Sequence, residues 1–232
     1  MQCRAVRRHN FLKNIHLWQC GFGGNSRIFS EVLFACFNLE GALTLYDPTI
    51  QSKEISVIAN FLSYIPQIIF LKMSGMTFSN HDAEMLAQAL ISNTNLYGLE
   101  IRGSNMTRKG KNAFAKAVFN DSDLNAVIDS NHTCEIIGIG KIPLNNVHNT
   151  SLRGRITRKK IHALFTNSTN SCVNAKAFHG IDSKLMPNVL AWIQAEDAEH
   201  TCNPLTRVFE LMRGHMMPGL YAGKKSILTA DA

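Results

Sequence analysis

Two runs, His132-Thr-Cys134 and His200-Thr-Cys202, are the closest His/Cys pairs in the chain. Imidazole and thiolate both bind zinc, but a zinc centre takes four ligands at workable spacing, and Cys134 also falls in an apolar column described below. No metal is therefore expected. The chain holds no G-x-S-x-G elbow, no phosphate-binding P-loop, no H-E-x-x-H and no helix-borne carboxylate cluster. We expect a protein that is not an enzyme and carries no cofactor. The run RGRITRKK places Arg153, Arg155, Arg158, Lys159 and Lys160 close together. Such a patch attracts phosphate through charge. It has no aromatic interleaved for base stacking, so a solvated loop leading into a helix ranks first and nucleic-acid association second. A third set is more widely spaced. Trp18 and Tyr46 stand 28 residues apart, and Arg102 follows after two further such steps. Exposed aromatics with arginine are the residue types enriched at protein interaction hot spots.

That spacing is the period of the chain. At a 28-residue step one column reads Ile15, Leu43, Leu71, Leu99 and Val127. The column two places on reads Leu17, Leu45, Met73, Ile101 and Asp129. A third reads Phe22, Ile50, Phe78, Met106 and Cys134. Internal repetition of this kind governs the whole fold. The first half of each unit alternates as a strand does, as in LYGLEI; the second half repeats every three to four residues, as in DAEMLAQALI. Ser52, Asn80 and Thr107 stand where helix N-caps belong. One strand and one helix cannot bury both apolar faces alone, whereas stacked copies can.

The pattern L-x-x-L-x-L-x-x-(N/C)-x-L, followed by a helix and closing at 28 residues, resembles the ribonuclease-inhibitor type of leucine-rich repeat over roughly Leu12 to Ile136. LNAVIDSNHTCEI is also similar to repeats in large leucine-rich families of protist algae. The resemblance implies an α/β solenoid with parallel strands on the concave face and helices outside. Beyond the repeats TRKKIHALF, DSKLMPNVLAWIQ and PLTRVFELMR read as helices without the 28-residue rhythm, a helical C-terminal region covering the open end. The resemblance also implies that a side chain at the Asn/Cys position satisfies backbone groups where the strand bends away. Here that position holds Cys20, Pro48, Met76, Ser104 and His132. Asp129 would place a carboxylate in the core, which is too costly if unpaired, so its strand is expected to end early or to meet a polar cap.

In this architecture the concave positions are Lys13, His16 and Trp18; Thr44, Tyr46 and Asp47; Phe70, Lys72 and Ser74; Tyr97, Glu100 and Arg102; and Asn125, Ile128 and Ser130. A protein partner of unknown identity is expected there, contacting Lys13, His16, Trp18, Tyr46, Asp47, Phe70, Lys72, Tyr97, Glu100 and Arg102. Related proteins of the resembled family include regulators of small GTPases, a role the resemblance alone suggests.

The organisation expected is a basic segment (1–11), a solenoid of about five units (12–136), a loop or linker (137–152), a helical cap (153–221) and a frayed tail (222–232). The net charge of +7 comes from the two ends, while residues 12–134 are nearly balanced. Six cysteines without a C-x-x-C pair suit a reducing compartment, and no apolar run is long enough for a membrane span. Cytoplasm or nucleus is expected. The sequons at Asn105, Asn120, Asn131, Asn149 and Asn167 are expected to be unused. No cap precedes the first unit, so contact with a partner, dimerisation or further repeats is expected at that end, further repeats being the most economical.

Overall fold

A computed structural model describes residues 13–102, 106–146, 156, 159–161 and 163–164. The basic segment 1–11, the helices read after residue 165 and the tail 222–232 lie outside them. The described chain is α/β. Strands β1 (Asn14–Trp18), β2 (Ala42–Tyr46), β3 (Phe70–Ser74), β4 (Gly98–Arg102) and β5 (Glu135–Ile137) form one parallel sheet in chain order. Helices α1 (Ser26–Ala35), α2 (Ser52–Ser63), α3 (Asn80–Ile91) and α4 (Arg108–Val118) connect them in turn. A short helix, α5 (Leu124–Asp129), follows α4.

The 28-residue step sets the register. Ile15 stands opposite Leu43, Leu43 opposite Leu71, and Leu71 opposite Leu99. Leu45, Met73 and Ile101 form the adjoining file. Ile15 is half-buried, and the others are buried with Leu33, Ile58, Leu62, Leu86, Leu90 and Phe114 from the helices. A strand sends alternate side chains to opposite faces, so one set enters this core and the other points away from the helices. Full burial of one such leucine is worth about 1.5–3 kcal/mol.

Helix starts differ in detail from the pattern reading. Thr107 does cap α4, its side chain accepting the Lys109 N–H at 3.3 Å. Ser52 and Asn80 are instead the first residues of α2 and α3. Ser79 caps α3 by accepting the Asp82 N–H, while the Asp82 carboxylate accepts the Ser79 N–H at 2.8 Å. At α2 the Glu54 carboxylate accepts the Gln51 N–H at 3.1 Å. Ser52 and Asn80 serve between units: the Ser52 hydroxyl donates to Asp82 at 2.9 Å, and Asn80 Oδ1 accepts from Thr107 Oγ1 at 2.8 Å and from the Gly110 N–H at 3.1 Å.

The fifth unit corrects the frame. Leu99 pairs with Ile136, a step of 37 residues, and not with Val127. Val127 lies in α5, Asp129 ends that helix exposed to solvent, and Asn125, Ile128 and Ser130 are not strand positions. Residues 121–129, the nine beyond a 28-residue step, are an insertion. Its base is pinched by the Asn120 N–H donating to Ser130 Oγ at 3.0 Å and by the Asn131 N–H donating to the Ala117 carbonyl at 2.7 Å. By compactness, the described residues of 13–120 and 129–156 form one unit, and 121–128 with the described residues of 159–164 belong to another.

Residues 138–146 carry no helix or strand, yet Ile139, Ile142 and Asn146 are buried, so this part of the expected linker is packed. Asn145 meets the backbone of β5 as a neighbouring strand would: its Nδ2 donates to the Ile136 carbonyl at 2.6 Å and its Oδ1 accepts the Ile136 N–H at 3.1 Å. An edge strand left open is a template for aggregation, and the side-chain amide occupies one residue's worth of that edge.

Candidate functional site: the helix-free face of the sheet

Strand alternation puts three rows on the face away from the helices. Following the register, the first is Asn14, Ala42, Phe70, Gly98 and Glu135; the second His16, Thr44, Lys72, Glu100 and Ile137; the third Trp18, Tyr46, Ser74 and Arg102. Parallel neighbours stand ~4.8 Å apart, so aligned side chains touch along a row.

In the third row Trp18 and Tyr46 stack, with ring centroids 4.1 Å apart and planes 19° from parallel. Trp18 remains 65% exposed, the largest exposure of any big apolar side chain among the described residues. Tyr46 is held from its other side. A β-carbon at Gly75 would lie 2.9 Å from Tyr46 Cε2, and the φ of +76° at Gly75 also favours glycine. In this row the outer face of Trp18 is left as the apolar platform.

The second and third rows meet in an ion cluster. Lys72 Nζ lies 3.4 Å from Glu100 Oε2, and Arg102 Nε pairs with Glu100 Oε1. The Glu100 carboxylate is nearly buried, whereas the Arg102 side chain is mostly exposed. Two cations share one carboxylate. In the first row, Phe70 lies over Gly98, where a β-carbon would come within 2.1 Å of the ring. Glycine is required there for the aromatic to lie flat.

The expected contact residues therefore separate. Trp18, Tyr46, Lys72 and Arg102 gather on this face; His16 is exposed beside Trp18, and Phe70 is half-buried. Lys13 is exposed just before β1, and Tyr97, half-buried, just before β4. Glu100 belongs to the face as the buried counterion of two cations. Asp47 does not belong to it: it is buried beyond β2, and its carboxylate accepts the Phe22 N–H at 3.0 Å, the Thr49 N–H at 3.0 Å and the Thr49 hydroxyl at 2.7 Å. Burial alone would push that carboxyl up, but the Thr49 hydroxyl and the N–H groups of Phe22, Thr49 and Gly21 outweigh it and hold it below the ordinary carboxylate range.

Asp47 performs the task expected of Cys20, which is exposed, its thiol donating to the Trp18 carbonyl at 3.7 Å. Glu54 repeats the arrangement. Burial raises its pKa, but hydrogen bonds from the Ser26 hydroxyl (2.7 Å) and from backbone N–H groups including Gln51 and Gly24 bring it below normal. These internal carboxylates thus take up amides of the glycine-rich turn 21–24, which otherwise resembles an anion cradle. Asp47 was expected among the partner contacts, and nothing in the spacing marks Glu54 as a backbone ligand.

Of the basic run, Lys159 is exposed and Lys160 is buried, with burial pushing its ammonium down to about 7. A lysine so placed is withdrawn from phosphate in solvent; Arg153, Arg155 and Arg158 lie outside the described residues. Among the described residues no group of three His, Cys, Asp or Glu is placed to hold a metal ion. Cys134 is buried, and desolvation raises its thiol pKa far above the ordinary value. Asn131, one of the sequons, is buried and bonded to four backbone groups, which leaves no room for a glycan. No helix among the described residues is long and apolar enough to cross a membrane. In comparisons with known proteins, no family model matches the chain and no curated protein matches it.

Proposed function

We propose that this chain is a non-enzymatic protein-binding scaffold, a leucine-rich-repeat solenoid of the ribonuclease-inhibitor kind whose partner lies on the concave strand face. The observation that carries the reading is the Trp18–Tyr46 stack: a large aromatic platform held rigidly in place, yet mostly open to solvent. Exposing that much aromatic surface has a solubility cost, and a partner's surface would offset it. Arg102, on the same row, adds a directional charged contact. A face built on strands is also rigid, so binding would order few side chains and lose little entropy.

The test is a capture experiment with the full chain. Wild type and a Trp18→Ala/Tyr46→Ala/Arg102→Ala variant would be compared for proteins retained specifically. The reading expects a partner held by wild type and lost from the variant, with unchanged circular dichroism. Undiminished retention by the variant would remove this face from consideration. The second reading, nucleic-acid binding through residues 153–160, is weakened by the burial of Lys160. It would be recovered if neutralising Arg153, Arg155, Arg158 and Lys159 abolished salt-sensitive RNA binding.

A further inference from the structure

We infer that the occupant of this face is an acidic segment of a partner protein, carrying an aromatic or large apolar residue about four to five positions from an aspartate or glutamate. The inference rests on the protein-binding reading above and specifies the chemistry of the partner.

Charge comes first. Glu100 faces both Lys72 and Arg102, so one negative charge is shared by two positive ones. Within this cluster the surplus resides on Arg102, whose side chain is 65% exposed, while Glu135 stands in the first row, two rows away. Its guanidinium uses Nε toward Glu100 and has further N–H groups in the same plane, the fork that matches a carboxylate with two hydrogen bonds. Glu100 thereby fixes the orientation of Arg102 before any partner arrives, which lowers the entropy lost on binding.

The apolar contact lies at the other end of the row. Tyr46 is enclosed between Trp18 and Gly75, so the outer Trp18 face is the surface left to receive a side chain. Between the two anchors stands Ser74, a small residue that leaves the row low in the middle. From the Trp18 strand to the Arg102 strand is three strand spacings, or ~14 Å. An extended peptide advances ~3.3 Å per residue. Crossing the row thus takes about four to five residues, which sets the separation of the two anchors.

The same face argues against a single-stranded nucleic acid. Stacking on Trp18 would suit a base, but a phosphate chain needs a continuous positive track. Here Glu100 and Glu135 lie in the rows beneath it, and Lys72 is already engaged by Glu100. One oriented arginine suits one carboxylate better than a polyanion.

A random peptide display library panned on the purified full chain tests this directly. The leading peptides would be synthesised and titrated against wild type, Trp18→Ala, Tyr46→Ala and Arg102→Gln, with a short oligouridylate as the competing probe. Expected are sequences enriched in an aromatic and an acid at the stated spacing, with affinity falling about tenfold or more for Trp18→Ala and for Arg102→Gln. Peptides enriched without an acid, weakened by Trp18→Ala but indifferent to Arg102→Gln, overturn the acidic partner and leave the protein-binding face standing. Peptides indifferent to all three changes overturn both. Oligouridylate binding that Trp18→Ala removes overturns both in favour of nucleic acid. Because Trp18 and Arg102 are exposed, unchanged thermal unfolding would show that any loss is one of contact.

Discussion

The two halves of the sheet are tied together by different chemistry. In the first half, carboxylates hold the turns that lead from strand to helix: Asp47 binds Phe22 and Thr49, Glu54 binds Ser26 and Gln51, and Asp82 binds Ser52 and Ser79. In the second half, buried amides hold the turns that lead from helix to strand. Asn93 donates to the Leu62 carbonyl at 2.8 Å and accepts the N–H groups of Asn95 and Leu96. Asn131 donates to the carbonyls of Leu90 and Asn93 and accepts from Thr133 and Cys134. Asn146 donates to the carbonyls of Asn131 and Cys134. A carboxylate only accepts; an amide both donates and accepts. Where a turn exposes N–H groups and hydroxyls, an acid serves. Where it leaves both N–H groups and carbonyls unpaired, only Asn or Gln can satisfy them together.

The most damaging way to break this contrast is Asn131→Ala. It strands the Thr133 and Cys134 N–H groups in the interior, each costing about 1–3 kcal/mol when unsatisfied, and takes the amide donor from the Leu90 and Asn93 carbonyls, which keep the Asn93 N–H and the Thr133 hydroxyl. Allowing for non-additivity, a loss of about 3–4 kcal/mol is expected in urea unfolding. A loss under about 1 kcal/mol would show that water or a shifted backbone replaces the amide.

Asp47→Ala comes next, at about 2–3 kcal/mol at neutral pH. It also sharpens the comparison through pH. Asp47 and Glu54 have folded-state pKa values below their unfolded ones. Their contribution is therefore complete above the ordinary carboxylate pKa, about 4, and disappears as pH falls through the lowered folded values. In acid, hydrogen exchange should accelerate at Phe22 and Thr49 before it does at Leu96 and Cys134. Simultaneous loss at all four would mean that the two halves do not differ in this respect.

Thr107→Ala removes the cap of α4 and should cost about 1 kcal/mol. The smallest effect belongs to the surface. Glu84→Gln breaks the exposed pair with Lys109, 2.9 Å apart, and should change stability by less than about 0.5 kcal/mol, a difference that vanishes in high salt. A larger change would assign the pair a part in joining α3 to α4.

Much of this architecture was legible in the chain because apolar columns record which residues must be hidden. Leu43, Leu71 and Leu99, and with them Leu45, Met73 and Ile101, were placed in the correct register by spacing alone. The stack of Trp18 on Tyr46 followed from the same arithmetic. Acids and amides were harder. Asp47 at the end of a strand reads equally well as a surface charge or as a backbone ligand, since the choice depends on amides 25 residues earlier. Asn93 and Asn146 gave no periodic signal, and Asn131 stood one place from the Asn/Cys column, beside His132.

The fifth strand shows where pattern and structure part. Val127 fits the 28-residue column as well as any residue, but it lies in an inserted helix, and Ile136 takes the edge of β4 instead. An apolar column states only that a side chain needs cover; it does not state which backbone will supply the hydrogen bonds. Here the free edge of β4 selected the strand, together with Asn131 and Asn146 closing the turn before it. The sequence by itself determined the repeat, the register of four strands and the two aromatics that meet, because burial acts locally through side-chain spacing. Only the tertiary structure decided the fifth strand, the inward turn of Asp47 and the pairing of Arg102 with Glu100, because hydrogen bonds and ion pairs depend on groups that the chain brings together from afar.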